Sequence, residues 1–198
     1  MKLYIAKTSP YARKVLALVH EKGAAVDVVT VDPWSDPAAL QTVVPSGKVP
    51  ALVTDEGWTL GESWAIADHL DETLPGRRLL APAGPERWRS LRLSALAQGL
   101  LDAAFSAVIE GRRPAAERSP GWVARQKAAI ARTLPALEAS TAELEAEGFG
   151  MGGLSVACAL DYLDFRHGDL DWRSGQPALA GWFAGVIGRP SLRATDPR

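Results

Sequence analysis

The chain has 198 residues, 47 % hydrophobic and 23 % charged, with a formal net charge of -1. That length and apolar fraction allow a buried core in one large or two small domains, and the balanced charge leaves no electrostatic footprint for a nucleic acid. Cys158 is the single cysteine, which excludes an internal disulfide and suits a reducing compartment.

Residues 2–6 (Lys-Leu-Tyr-Ile-Ala) predict a short buried strand. The apolar run ends at Lys7, too soon for a signal-peptide core. The longest uncharged, largely apolar run, Gly148 to Leu160, is shorter than the roughly 20 residues of a membrane span. A cytoplasmic location without a membrane partner is therefore expected. Thr8-Ser9-Pro10 predicts a helix start, because a hydroxyl caps the first turn and proline suits its first position. Val15, Leu18 and Val19 follow at helical spacing, and Gly23 stops the helix. Val26 to Val31 predicts a second strand, rich in β-branched residues. A loop through Asp32–Pro37 leads to a short helix over 37–43.

Val44-Pro45-Ser46-Gly47-Lys48-Val49-Pro50 breaks the chain again. Ala51 to Thr54 and Trp58 to Leu60 then predict two short strands around the turn Asp55-Glu56-Gly57. Gly61-Glu62-Ser63 precedes a helix with Ile66, Leu70 and Leu74 on one face and Ser63 as its expected cap; Pro75-Gly76 ends it. The order is β-α-β-α-β-β-α. After about residue 83 no β-rich run survives, and helices are predicted near 85–110, 120–146, 154–165 and 177–187. Two domains are expected, 1–78 mixed α/β and 84–198 all-helical.

Three local patterns stand at loop-to-element junctions: Ser9-Pro10-Tyr11-Ala12-Arg13-Lys14-Val15, Gly47-Lys48-Val49-Pro50-Ala51-Leu52 and Glu62-Ser63-Trp64-Ala65-Ile66. In that order and spacing they resemble the glutathione S-transferase superfamily, nearest to bacterial, theta-like cytosolic members with serine at the active-site position. The helical half resembles it more loosely, through Gly99–Ala104, Trp122–Gln126 and Cys158–Arg166. The resemblance implies a thioredoxin-like N-terminal domain followed by an all-α C-terminal domain, with glutathione as co-substrate, no metal, and a homodimer.

It also implies roles. Val49, with a cis bond to Pro50, would pair with the cysteinyl backbone of glutathione. Glu62 and Ser63 would take the γ-glutamyl end, and Lys48 the glycyl carboxylate. Ser9 would donate a hydrogen bond to the sulfur anion, with Thr8 and Tyr11 as rival donors. Tyr11, Phe105 and Val108 would line the pocket for a small hydrophobic electrophile, placed between the two domains. Conjugation is the expected reaction, with detoxification as its setting. Another glutathione-dependent reaction (isomerase, dehalogenase, peroxidase) and a non-catalytic glutathione- or protein-binding module are the alternatives. Omega-type and glutaredoxin-like relatives carry cysteine near the first helix; Ser9 here argues against thiol–disulfide chemistry.

Other features read as structural. Arg13 and Lys14 are expected to be solvated or dimer-facing, Cys158 buried and inert, and the seven tryptophans core or interface residues. His20, His69 and His167 have no metal-ligand spacing. Gly150–Gly153 lacks the strand and lysine of a phosphate loop. Two departures from the family pattern stand out. Gln98 replaces a frequent aspartate, and Gly150 and Gly153 align with a helix-capping box whose polar groups are missing, leaving Ser155 to cap a shortened helix.

Overall fold

In the computed structural model, which describes residues 1–198, Leu3 and Ile5 of β1 (Lys2–Ile5) alternate into a core while Lys2 stays exposed. β1 is the second strand of a four-stranded sheet ordered β2-β1-β3-β4. β2 (Asp27–Thr30) pairs with it in parallel on one side, and β3 (Ala51–Val53) antiparallel on the other. β4 (Thr59–Gly61) adds to β3 as the antiparallel edge. α1 (Pro10–Glu21) makes the crossover to β2 and buries Val15, Leu18 and Val19. α2 (Ala38–Val43) buries only Leu40, and α3 (Ser63–Thr73) buries Ile66, Ala67 and Leu70. This is the thioredoxin-like arrangement expected.

The chain divides into two compact units, Met1–Leu79 with Arg189–Arg198, and Leu80–Gly188. The last ten residues, expected in the helical domain, therefore join the first unit. Two buried contacts explain this. The Arg13 guanidinium donates to the Leu192 carbonyl at 3.1 Å and to Thr195 Oγ1 at 3.4 Å. Arg13 and Lys14 are 5 % and 6 % exposed, so of the two expected roles, solvated or dimer-facing, burial removes the solvated one. At the other end of α1, Glu21 holds Arg189 by a bidentate pair of 2.9 and 2.8 Å and accepts from Ser191 Oγ, anchoring α9 (Pro190–Ala194).

Burial alone pushes the Glu21 carboxyl up, but the hydrogen bonds from Arg189 and Ser191 and the Arg189 and Arg77 charges outweigh it and hold it below its ordinary 4.5. The folded state thus favours the ionised form more than the unfolded chain does. This stabilisation is complete above the unfolded value and is lost as pH falls through the lowered one. The gap in urea midpoint between wild type and Glu21→Gln is expected to shrink on going from about pH 7 to about pH 3.5. A gap that stays constant contradicts the linkage.

Behind α1 and α3 lies a buried ion pair. Lys22 Nζ donates to the Asp71 carbonyl at 2.7 Å and the Arg77 carbonyl at 3.2 Å, and sits 3.3 Å from Asp71 Oδ1. Both side chains are 0 % exposed. The Asp71 carboxylate also accepts the Leu79 N–H at 2.8 and 3.1 Å. Gly76 carries the turn over this cluster with φ +93°; a Cβ there would stand 2.8 Å from the Lys22 carbonyl.

The helical unit is built on α4 (Gly84–Arg112), against which α5 (Pro120–Glu138) and α7 (Met151–Arg166) pack most extensively. α4 is long and apolar enough to cross a membrane by length and composition, and eight of its residues are buried in this unit. α6 (Thr141–Glu147) and α8 (Pro177–Val186) complete it, so the segment expected as one helix over 120–146 is two.

α7 begins at Met151 and is not shortened. Its N-terminus is capped from outside, by Glu147, which accepts the Gly152 and Gly153 N–H groups at 3.1 and 2.7 Å, and by Ser90 Oγ at 3.0 Å from Gly152 N. A carboxylate there also meets the positive end of the helix dipole. A Cβ on Gly152 would stand 3.0 Å from the Glu147 oxygens, so the glycine makes room for this cap. Ser155 is no cap; its Oγ donates to the Met151 carbonyl at 2.8 Å inside the helix. Gln98 donates to Asp102 Oδ1 at 2.9 Å, one turn on. Cys158 is fully buried. Of the tryptophans, Trp172 is in the core, while Trp34, Trp58, Trp64, Trp88 and Trp122 are exposed.

Candidate functional site

Strand register brings the three junction motifs together. Tyr4, near the end of β1, pairs with Ala51 at the start of β3, and Ala51 pairs with Gly61 at the end of β4. Because both pairings are antiparallel, the segment leaving β1, the one entering β3 and the one leaving β4 emerge at one end of the sheet. Ser9, Lys48–Pro50 and Glu62–Ser63 lie on those segments.

Ser9 stands at the cap of α1 with extended backbone, and its Oγ accepts the Ala12 N–H at 3.3 Å. The cap uses the hydroxyl only as acceptor and leaves its proton to donate. Ser9 is half-buried, Thr8 exposed, and Tyr11 half-buried in the first turn. The Val49–Pro50 bond is cis. Pro50 is buried, Val49 half-buried and Lys48 exposed.

The third segment departs from local expectation. Glu62, not Ser63, occupies the cap position of α3, and its side chain makes no capping bond. Its φ of +69° lies in the region that favours glycine. Such a conformation costs on the order of 1–3 kcal/mol and persists where surrounding structure enforces it, often at functional sites. Here β4 precedes it, and its carbonyl accepts the Ile66 N–H at 3.0 Å. Ser63 is then the first helical residue, 2 % exposed, and its Oγ is buried with no hydrogen-bond partner. A buried hydroxyl left so costs about 1–3 kcal/mol. The site therefore has a hydroxyl at one helix N-terminus, an unpartnered hydroxyl at another, and the cis-proline segment beside them. That set suits an extended peptide with an acidic end.

Phe105 and Val108 belong to the helical unit, half-buried and three residues apart on α4. No group of three or more His, Cys, Asp or Glu side chains is arranged to hold a metal. Sequence reasoning missed the backbone of Glu62, since no glycine marks it.

The family model described as "Glutathione S-transferase, N-terminal domain" matches residues 3–78, and "Glutathione S-transferase, C-terminal domain" matches 120–185. An uncharacterized GST-like protein of Escherichia coli K12, YibF, is 33 % identical over 200 residues, covering 100 % of this chain and 98 % of that protein. The crystal structure of a glutathione transferase family member from Pseudomonas fluorescens Pf-5 with bound glutathione is 42 % identical, with TM-score 0.92 over 100 % of this chain and 98 % of the other. A structure from the same organism with bound S-(propanoic acid)-glutathione is 41 % identical, with TM-score 0.88 and 100 % of both chains covered.

Proposed function

The chain belongs to the glutathione transferase superfamily, and from that premise we propose that it activates the glutathione thiol at Ser9 and transfers the sulfur to a small hydrophobic electrophile. The observation that carries this reading is the convergence of Ser9, Val49–Pro50 and Glu62–Ser63 at one end of the sheet. Val49 pairs with the cysteinyl backbone. Ser63 Oγ takes the γ-glutamyl carboxylate at the start of α3, which gives its orphaned hydroxyl a partner, and Glu62 takes the amine. Lys48 takes the glycyl carboxylate.

A thiol of pKa ~8.5 must lose roughly two units, about 2.7 kcal/mol, to be mostly ionised near neutrality. One hydrogen bond to a charged group contributes about 1.5–3 kcal/mol, and a helix N-terminus about 0.3–1 kcal/mol. The Ser9 O–H at the start of α1 supplies both. Ser9 thus holds the thiolate without acting as base or nucleophile. The sulfur lone pair forms the S–C bond, and the electrophile's leaving group departs with the displaced electron pair. Tyr11, in the first turn of α1, faces the electrophile in this reading. The homodimer is part of it, and Trp58 and Trp64 of the first unit leave exposed rings available to a second copy.

Retention on immobilised glutathione combined with turnover of an aryl halide tests the reading. Both are expected. Retention without turnover across an electrophile panel favours a binding module, and absence of retention overturns the glutathione site.

A further inference from the structure

Lys22 and Asp71 are buried charges that the scheme above does not use, and they join the two helices that carry its hydroxyls. α1 and α3 pack against each other within the first unit. Ser9 caps the first turn of α1, and Ser63 opens α3 at the same end of the sheet. At the far ends of the same helices, Lys22 is the C-cap of α1 and Asp71 lies in the last turn of α3. The Lys22 ammonium donates to the Asp71 carbonyl at 2.7 Å and to the Arg77 carbonyl at 3.2 Å, and meets Asp71 Oδ1 at 3.3 Å. One cation thus grips the backbone of α3, its side chain and the turn that follows it. The Gly76 turn sits directly on the α1 end, since a Cβ there would stand 2.8 Å from the Lys22 carbonyl.

A buried ion pair is weak evidence for stability, because an apolar pair of similar volume often serves as well. What the pair adds is direction. The apolar side chains that α1 and α3 bury, Val15, Leu18, Ile66 and Leu70 among them, impose no direction on their contact. An ammonium with three fixed acceptors does, so it sets how far α1 stands along α3. A helix of 12 residues, about 18 Å long, transmits an axial shift of one end to the other. Glutathione spans both helix starts, with its sulfur on Ser9 and its γ-glutamyl carboxylate on Ser63. Hydrogen bonds weaken steeply with lost distance and angle, and a misplacement of about 1 Å can cost a reaction roughly 100-fold.

We propose that Lys22 and Asp71 are positioning residues for glutathione: their pair fixes the register of α1 on α3, and with it the separation of the Ser9 hydroxyl that holds the sulfur from the Ser63 hydroxyl that holds the carboxylate. The inference rests on the glutathione reading above. A tie that only held the fold together would change the stability of variants and leave the ionisation of a bound thiol alone.

Two measurements on Lys22→Met/Asp71→Asn test this. The variant leaves no unpaired charge and keeps an acceptor for the Leu79 N–H. The thiol pKa of bound glutathione, read by thiolate absorbance, is expected to rise by about one pH unit relative to wild type, roughly half of the lowering assigned to Ser9 and its helix. The Kd of S-methylglutathione, which has no thiol to ionise, should stay within about twofold. Lys22→Arg keeps the charge, but its planar fork cannot converge on the same acceptors, so a smaller rise in the same direction is expected; it supplies the result if the double variant does not fold. An unchanged thiol pKa in the folded variants overturns the proposal, and so does a rise accompanied by a large loss of S-methylglutathione affinity, which would mean general damage to the site. If the wild type itself leaves the bound thiol at its ordinary pKa or fails to bind glutathione, the underlying reading falls as well.

Discussion

Asp71→Ala is expected to lower folding stability by about 3–5 kcal/mol, a large share of the 5–15 kcal/mol typical of a domain. The Lys22 ammonium is 0 % exposed and would lose its only counter-charge. The Leu79 N–H would lose both carboxylate oxygens that now accept it. Three parts of the first unit meet there: the end of α1, the last turns of α3, and the loop from Arg77 to Leu79. Asp71→Asn keeps an acceptor for Leu79 and removes the charge, so it should fall between wild type and Asp71→Ala. Urea midpoints with unchanged m-values read the effect. A loss under about 1 kcal/mol for Asp71→Ala would mean that water reaches Lys22 and the pair is not buried in solution.

Ser63→Ala should separate folding from ligand binding. In the unliganded protein its Oγ has no partner, so its removal should leave stability unchanged or slightly higher. With glutathione, that hydroxyl meets a carboxylate in the proposed scheme, a bond of about 1.5–3 kcal/mol, or roughly 10–150-fold in Kd. The melting-temperature rise produced by saturating glutathione should shrink to match. Wild-type affinity together with a destabilised unliganded protein would assign Ser63 a purely structural role.

The fold was legible where the chemistry is local. Pro10 after Ser9, Gly23 after α1, and Asp55-Glu56-Gly57 between β3 and β4 each act on their own turn, and those boundaries lie within a residue or two of the structure. What was not legible depends on distant partners. Arg13 and Lys14 look solvated in a basic stretch, yet the C-terminal segment, about 180 residues on, takes the Arg13 guanidinium and buries it. With the capping-box groups missing at Gly150 and Gly153, the local pattern points to Ser155 as the α7 cap, but the cap comes from Glu147 and Ser90. At the candidate site the residue types were legible from motif order, while strand register alone explains why they converge. Ser63 was read as a cap from its preference. The positive φ of Glu62 shifts the cap by one residue and leaves the Ser63 hydroxyl without a partner.

The thiol pKa of bound glutathione, followed by thiolate absorbance across pH in wild type and Ser9→Ala, bears most directly on the account. The wild type should ionise the bound thiol roughly two units below the free value of ~8.5. Ser9→Ala should return it most of the way while glutathione affinity changes little. An identical pKa in both proteins would contradict the assignment of Ser9 and pass the role to Thr8 or Tyr11.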